Sequence, residues 1–264
     1  MVTQLANVVI DAVRPAAVAR FWADLLGWQV VPDSTASRAE QGQRDPGTGA
    51  PDGGDVVAVR PPDSDGCAFG LLCSAVSERK EVKNRVHLDL ASATAAQQRS
   101  IVDKAVGLGA ATADIGQGAL PWEVLTDPEG NEFCVLEPRT EYAGTGSLAA
   151  IVADAFDPIA LAPFWSAATG WEIVRRDPSF VSMRHPGGHG PWLELLRNES
   201  LHPDGRRLRL QLTASGAGPA DGEVAWLRRS GAGGQGNHSV LGTVLAAPEG
   251  GELIVAQDAP GDAG

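Results

Sequence analysis

The chain repeats itself, and that constrains its fold more than any local pattern does. Residues 11–30 carry Asp11, Pro15, Phe21-Trp22 and Gly27-Trp28, and residues 154–173 carry Asp154, Pro158, Phe164-Trp165 and Gly170-Trp171, every pair offset by 143 positions. Downstream, Arg85-Val-His-Leu-Asp-Leu90 matches Arg207-Leu-Arg-Leu-Gln-Leu212, and Asp127-Pro-Glu-Gly-Asn-Glu132 matches Ala247-Pro-Glu-Gly-Gly-Glu252. The offset falls there to 122 and 120, so the second copy has shorter loops. Self-similarity of this kind is a tandem duplication. The joint lies near Pro138–Ser147, which predicts two domains, residues 1–140 and 146–259, within a length of 264 that suits two domains.

Both copies follow one plan. A short β-branched strand (Asn7–Asp11; Ala150–Asp154) passes through Pro15 or Pro158 into a helix. Proline suits a first helical turn because its missing N–H would be unpaired there anyway. The first helix shows its apolar face at Val18, Phe21, Trp22 and Leu25 and stops at Gly27. Strands are predicted over Trp28–Val31, Val56–Arg60 and Ala68–Cys73, followed by Arg85–Leu90, a helix near Ala93–Leu108, and strands Trp122–Thr126 and Glu132–Leu136. The plan is strand, helix, strands, twice per copy, in an α+β fold. Ser34–Asp55 is Gly-, Asp- and Pro-rich and reads as a lid or a disordered insertion.

Charge narrows the partners. With 33 acidic against 21 basic residues the formal charge is −12, which counts against nucleic acid and anionic membranes as partners, since both require a basic face. No apolar run reaches the length of a membrane span, and the first ten residues lack the basic start of an export signal. Three cysteines, Cys67, Cys73 and Cys134, are odd in number and lack paired metal-type spacing. The expectation is a cytoplasmic monomer or homodimer whose partner is a small molecule.

Phe21-Trp22 leading to Leu26-Gly27-Trp28, Lys83-Asn-Arg-Val-His-Leu-Asp-Leu90, and Asp127-Pro-Glu-Gly-Asn-Glu-Phe-Cys-Val-Leu136 resemble the vicinal oxygen chelate superfamily. That superfamily includes glyoxalase I, bleomycin-resistance proteins and extradiol dioxygenases, and the likeness is to its glyoxalase-like branch. The resemblance implies two tandem domains of paired βαβββ modules. Their strands would form a cupped mixed sheet, with the ligand inside the cup and the helices outside. It says little about activity, because one fold hosts many chemistries.

Alternation along each strand separates the cup face from the helix face. Val86, Leu88 and Leu90 face the helices, which leaves Arg85, His87 and Asp89 in the cup; Leu208, Leu210 and Leu212 likewise leave Arg207, Arg209 and Gln211 inside. Asn7, Val9 and Asp11 point inward opposite Val8 and Ile10, and Cys134 points inward between Phe133 and Val135. His87 can serve as a general base or ligand-orienting group, or it can be held structurally by Asp89. Trp122 and Trp192 start strands near the rim and can contact a flat ligand. The candidate ligand-binding set is Asn7, His87, Asp89, Trp122, Cys134, Trp192, Glu194 and Arg209, with His87 as the candidate catalytic residue. His185-Pro-Gly-Gly-His189 reads as a hairpin turn rather than a metal clip.

Metal-using members of the superfamily place His, Glu or Gln at four equivalent strand positions. By resemblance, the first copy offers Asn7, Gly70 or Leu71, His87 and Cys134; the second offers Ala150, Glu194, Arg209 and Ile254. That is one good ligand per copy, where a catalytic metal needs about three, and Arg209 opposes a cation. A metal site is therefore not expected, and no cofactor is. Arg209 is predicted to pair with Glu194 inside the second cup. The reading is a metal-free protein that binds an organic ligand in the first copy's cup, with a lyase, isomerase or dioxygenase as the alternative.

Overall fold

The computed structural model describes residues 3–31, 56–114, 118, 120–202, 204–214 and 220–256. Ser34–Asp55 lies outside the described residues. Four βαβββ modules follow one another. The first is β1 (Thr3–Ala12), α1 (Pro15–Leu26), β2 (Gln29–Val31), β3 (Val56–Arg60) and β4 (Gly70–Ala75). The second is β5 (Val86–Leu90), α2 (Ala95–Gly107), β6 (Ala111–Thr112), β7 (Glu123–Thr126) and β8 (Glu132–Val135). The third is β9 (Leu148–Ala155), α3 (Pro158–Thr169), β10 (Glu172–Arg176), β11 (Phe180–Arg184) and β12 (Trp192–Arg197). The fourth is β13 (Leu208–Ala214), α4 (Ala220–Arg229), β14 (Gly233–Ser239), β15 (Gly242–Ala246) and β16 (Glu252–Val255).

The modules pair into two eight-stranded mixed sheets, and each sheet draws on both copies. One runs β14-β15-β16-β13-β1-β4-β3-β2 and joins the chain's two end modules; the other runs β10-β11-β12-β9-β5-β8-β7-β6 and joins the two middle ones. We call their concave faces the end cup and the middle cup. Both joints are antiparallel pairs of first strands. Val9 lies opposite Arg209 where β1 meets β13, and His87 lies opposite Val152 where β5 meets β9. A cup is thus shared between copies instead of being built within one.

The faces assigned by alternation hold. Val8, Ile10, Leu88, Phe133, Leu193 and Leu210 enter one continuous core with the helices, while Val9 and Ile254 line the end cup and Cys134, Val152 and Trp192 line the middle cup. Trp22 and Phe133 meet edge-on at 5.2 Å, so α1 of the first module also packs on the second.

The repeated Pro-Glu-Gly turns explain how the modules of one copy stay together. Glu129 accepts the backbone N–H groups of Val13 and Arg14 at 2.6 Å each, at the start of α1. Glu249 accepts those of Phe156 and Asp157 at 2.6 and 3.0 Å, at the start of α3. Each carboxylate satisfies orphan donors and sits at the positive end of a helix dipole.

Candidate functional site

The middle cup gathers the reactive side chains. His87 and Asp89 alternate with Leu88 on β5, Cys134 of β8 lies opposite Asp89, and Glu194 of β12 lies between Val152 of β9 and Ser182 of β11. His87 Nε2 stands 3.4 Å from Asp89 Oδ1, which is otherwise buried without a hydrogen bond. One donor atom each from His87, Asp89 and Cys134 falls within a 4.8 Å cluster. Glu194 accepts from Ser182 Oγ at 2.9 Å and from Tyr142 Oη at 3.2 Å.

Both carboxyls are pushed above the ordinary carboxylate range. For Asp89 the cause is burial, opposed by His87, the Cys134 thiol and Arg139. For Glu194 burial again leads; the Ser182 hydrogen bond opposes it, the Asp89 charge adds to it, and Tyr142 and Arg139 oppose it. Burial and the Asp89 charge also push the Cys134 thiol up. Among the described residues, no lysine or arginine nitrogen comes within 4 Å of either carboxylate.

Aromatic rings and guanidinium groups form the upper wall. Trp192 carries Arg184 at 4.7 Å and Arg175 at 5.2 Å from its ring centroid, and its indole N–H donates to the Glu141 carbonyl at 3.1 Å. Arg139 lies 5.4 Å from the Trp122 ring and 5.8 Å from that of Tyr142. Tyr142, Ser182 and Arg139 were missed by the sequence reading. Ser182 was legible, since it alternates with buried Val181 and Met183 on β11. Tyr142 was not, because the joint between copies reads as a connection.

Asn7 and Arg209 are not with this group. Both stand in the end cup, where Asn7 donates to Gln211 Oε1 at 2.6 Å, Arg60 donates to Asn7 Oδ1 at 2.5 Å, and Gln211 donates to the Leu241 carbonyl at 2.8 Å. Arg209 bonds Asp11 and lies 3.7 Å from Glu252. The predicted Arg209–Glu194 pair is therefore overturned, because its members belong to different sheets. Cross-linked side chains bridge the end cup instead.

Regrouping also changes the metal count. The middle cup holds His87, Cys134 and Glu194 at three of the four positions that the resemblance marks, with Ala150 at the fourth; the end cup holds Asn7, Gly70, Arg209 and Ile254. The middle cup's imidazole, carboxylate and thiol fit a divalent ion in number and type. The end cup's set does not, since a guanidinium stays charged. His185 and His189 form the expected turn, closed by Gly188 N–H donating to the His185 carbonyl at 2.8 Å.

Comparison with known proteins agrees with this architecture. The glyoxalase-like domain family matches residues 7–136 and again 150–256. Glyoxalase I from Zea mays superimposes with a TM-score of 0.60 at 11% identity, over 97% of this chain and 92% of its own. A candidate dioxygenase from Bacillus subtilis gives 0.55 at 14% identity, over 98% and 86%. No curated protein matches the sequence significantly. At such identities the structural likeness is one of fold alone. Two family matches that span both repeats, on a chain folded as four βαβββ modules, place this protein in the glyoxalase-like domain family.

Proposed function

We propose that the chain binds a small organic molecule in the middle cup, and that the end cup serves the fold. One observation carries this reading: buried Asp89 and half-buried Glu194 share an aromatic-walled cup in which, among the described residues, no lysine or arginine pairs with either. Covering carboxyls without a lysine or arginine partner costs stability, and such perturbed groups concentrate at functional sites. A carboxyl whose pKa is raised keeps its proton to higher pH than an ordinary one, and in that form it can donate a hydrogen bond to a ligand oxygen or hand over a proton. His87 would orient the ligand or act as the base. No metal is needed in this reading, since both Glu194 oxygens already have protein donors.

A second reading is favoured by the His87, Asp89 and Cys134 cluster. These three residues would hold a divalent ion, which would supply Lewis-acid activation of a ligand oxygen, in an enzyme of the lyase, isomerase or dioxygenase type. We place the chain in the cytoplasm on its three free cysteines, and a monomer suffices because its own modules complete both sheets. No described helix is long and apolar enough to cross a membrane. Two measurements test the readings. Thermal-shift screening of small organic compounds should give hits that His87→Ala and Glu194→Ala abolish; hits unchanged in both variants remove the middle cup. Stoichiometric Ni, Zn, Fe or Mn in untagged protein would replace the first reading with the second.

A further inference from the structure

Tyr142 is the chain's one tyrosine, and it belongs to no strand. It ends the short 3-10 turn Thr140–Tyr142, inside the joint between the two copies. From there its ring enters the middle cup, clustered with Val124, Cys134, Ala150, Val152 and Trp192, and only 8% of the residue stays exposed. Its hydroxyl donates to Glu194 Oε2 at 3.2 Å while Ser182 holds the other oxygen. The Arg139 guanidinium lies over the ring at 5.8 Å, where a cation meets the negative face of a π-system. A phenol thus finds three partners: an acceptor for its hydroxyl, an apolar seat for its ring, and a cation for its face.

The piece of chain that delivers this ring is short. Thr145 closes its turn by donating to the Tyr142 carbonyl, and Gly144 and Gly146 follow at φ 80° and 86°, a backbone region that glycine enters freely. On its outer side lies a recess of about 330 Å³ bordered by Ser92, Gln97, Arg139 and Thr140. A ring needed only to fill the core would be served by phenylalanine. The hydroxyl seat on Glu194 is the specific part.

Resting on the reading that the middle cup is the ligand site, we propose that its ligand is a phenol. Tyr142 is the tethered stand-in that a free phenol displaces toward the recess. The probe is 4-methylphenol, the tyrosine side chain itself, with toluene as the same shape without the hydroxyl. Full-length Tyr142→Ala should bind 4-methylphenol at least about tenfold more tightly than toluene, the scale of a hydrogen bond to a carboxylate, and regain part of its lost Tm. Tyr142→Phe keeps the ring but drops the hydroxyl, so its grip on the cup weakens. It should therefore take 4-methylphenol about fivefold more tightly than the natural chain. Equal binding of toluene and 4-methylphenol to Tyr142→Ala overturns the phenol assignment while leaving the cup as a site for organic molecules. Folded Tyr142→Ala that binds neither removes the cup reading itself. Should Tyr142→Ala not fold, Tyr142→Phe decides: an affinity no better than that of the natural chain overturns the proposal.

Discussion

Asp11 accepts a hydrogen bond from the Arg209 guanidinium across 198 positions of sequence, because β1 lies beside β13 at the centre of the end sheet. Each side chain is largely covered, at 14% and 13% exposure. Removing Asp11 leaves the covered Arg209 with only the more distant Glu252, at 3.7 Å, as a counter-charge. Asp11→Ala should therefore cost about 2–4 kcal/mol in urea unfolding, between the values for exposed and fully buried pairs. Replacing both residues together with Leu and Met should recover part of that loss.

Asp127 organises its own turn and reaches a helix. Its carboxylate accepts from the backbone of Glu129 at 2.8 Å and of Asn131 at 3.0 Å, from the Asn131 side chain at 2.9 Å and from Trp22 Nε1 at 3.3 Å. Ala247 stands at the matching place in the second copy, where none of these bonds can form. Asp127→Ala should lose about 2–3 kcal/mol, since several donors are left buried. Ala247→Asp should gain less than Asp127→Ala loses, because Gly251 lacks the side-chain donor that Asn131 supplies in the first copy. Denaturant titration of both variants checks the pair.

The paired caps predict equal effects. Glu129→Gln and Glu249→Gln each weaken a carboxylate that accepts two N–H groups at a helix start, and each should cost roughly 1 kcal/mol. A loss in only one variant would mean that the two turns no longer share a role.

Glu194 predicts a pH dependence. Its folded pKa lies above the ordinary value. A carboxyl of that kind contributes stability that is complete below its unfolded pKa, about 4.3, and is lost as pH rises through the folded value. Compared at pH 5 and at pH 8, wild-type Tm should therefore be lowered through this group at the higher pH. Glu194→Gln should be flatter over that window and the more stable of the two at pH 8. A Glu194→Gln protein that loses the same Tm at both pH values would show that the charge itself has a partner there.

The sequence fixes which way a side chain faces far better than which strand stands next to it. His87 and Cys134 face the cup because Leu88, Phe133 and Val135 must face the helices, and alternation leaves no choice. Nothing in β1 says whether β5 or β13 lies alongside, since both offer the same apolar period. Assigning neighbours by copy put Asn7 beside His87 and Arg209 beside Glu194, and spread the donors thinly. The antiparallel joints β1–β13 and β5–β9 reverse both assignments. Tyr142 escaped because a joint rich in glycine and threonine carries no period from which to read a face.

The crossed pairing of modules also decides what each copy contributes. Neither copy owns a cup: the middle one is written by a single unbroken stretch of sequence, from Val86 to Arg197, and the end one by the segments on either side of it. Loss of either whole copy would therefore remove half of each sheet. The contrast between a cup bridged by Arg60, Asn7 and Gln211 and a cup holding Asp89 and Glu194 therefore rests, in each cup, on residues drawn from both copies.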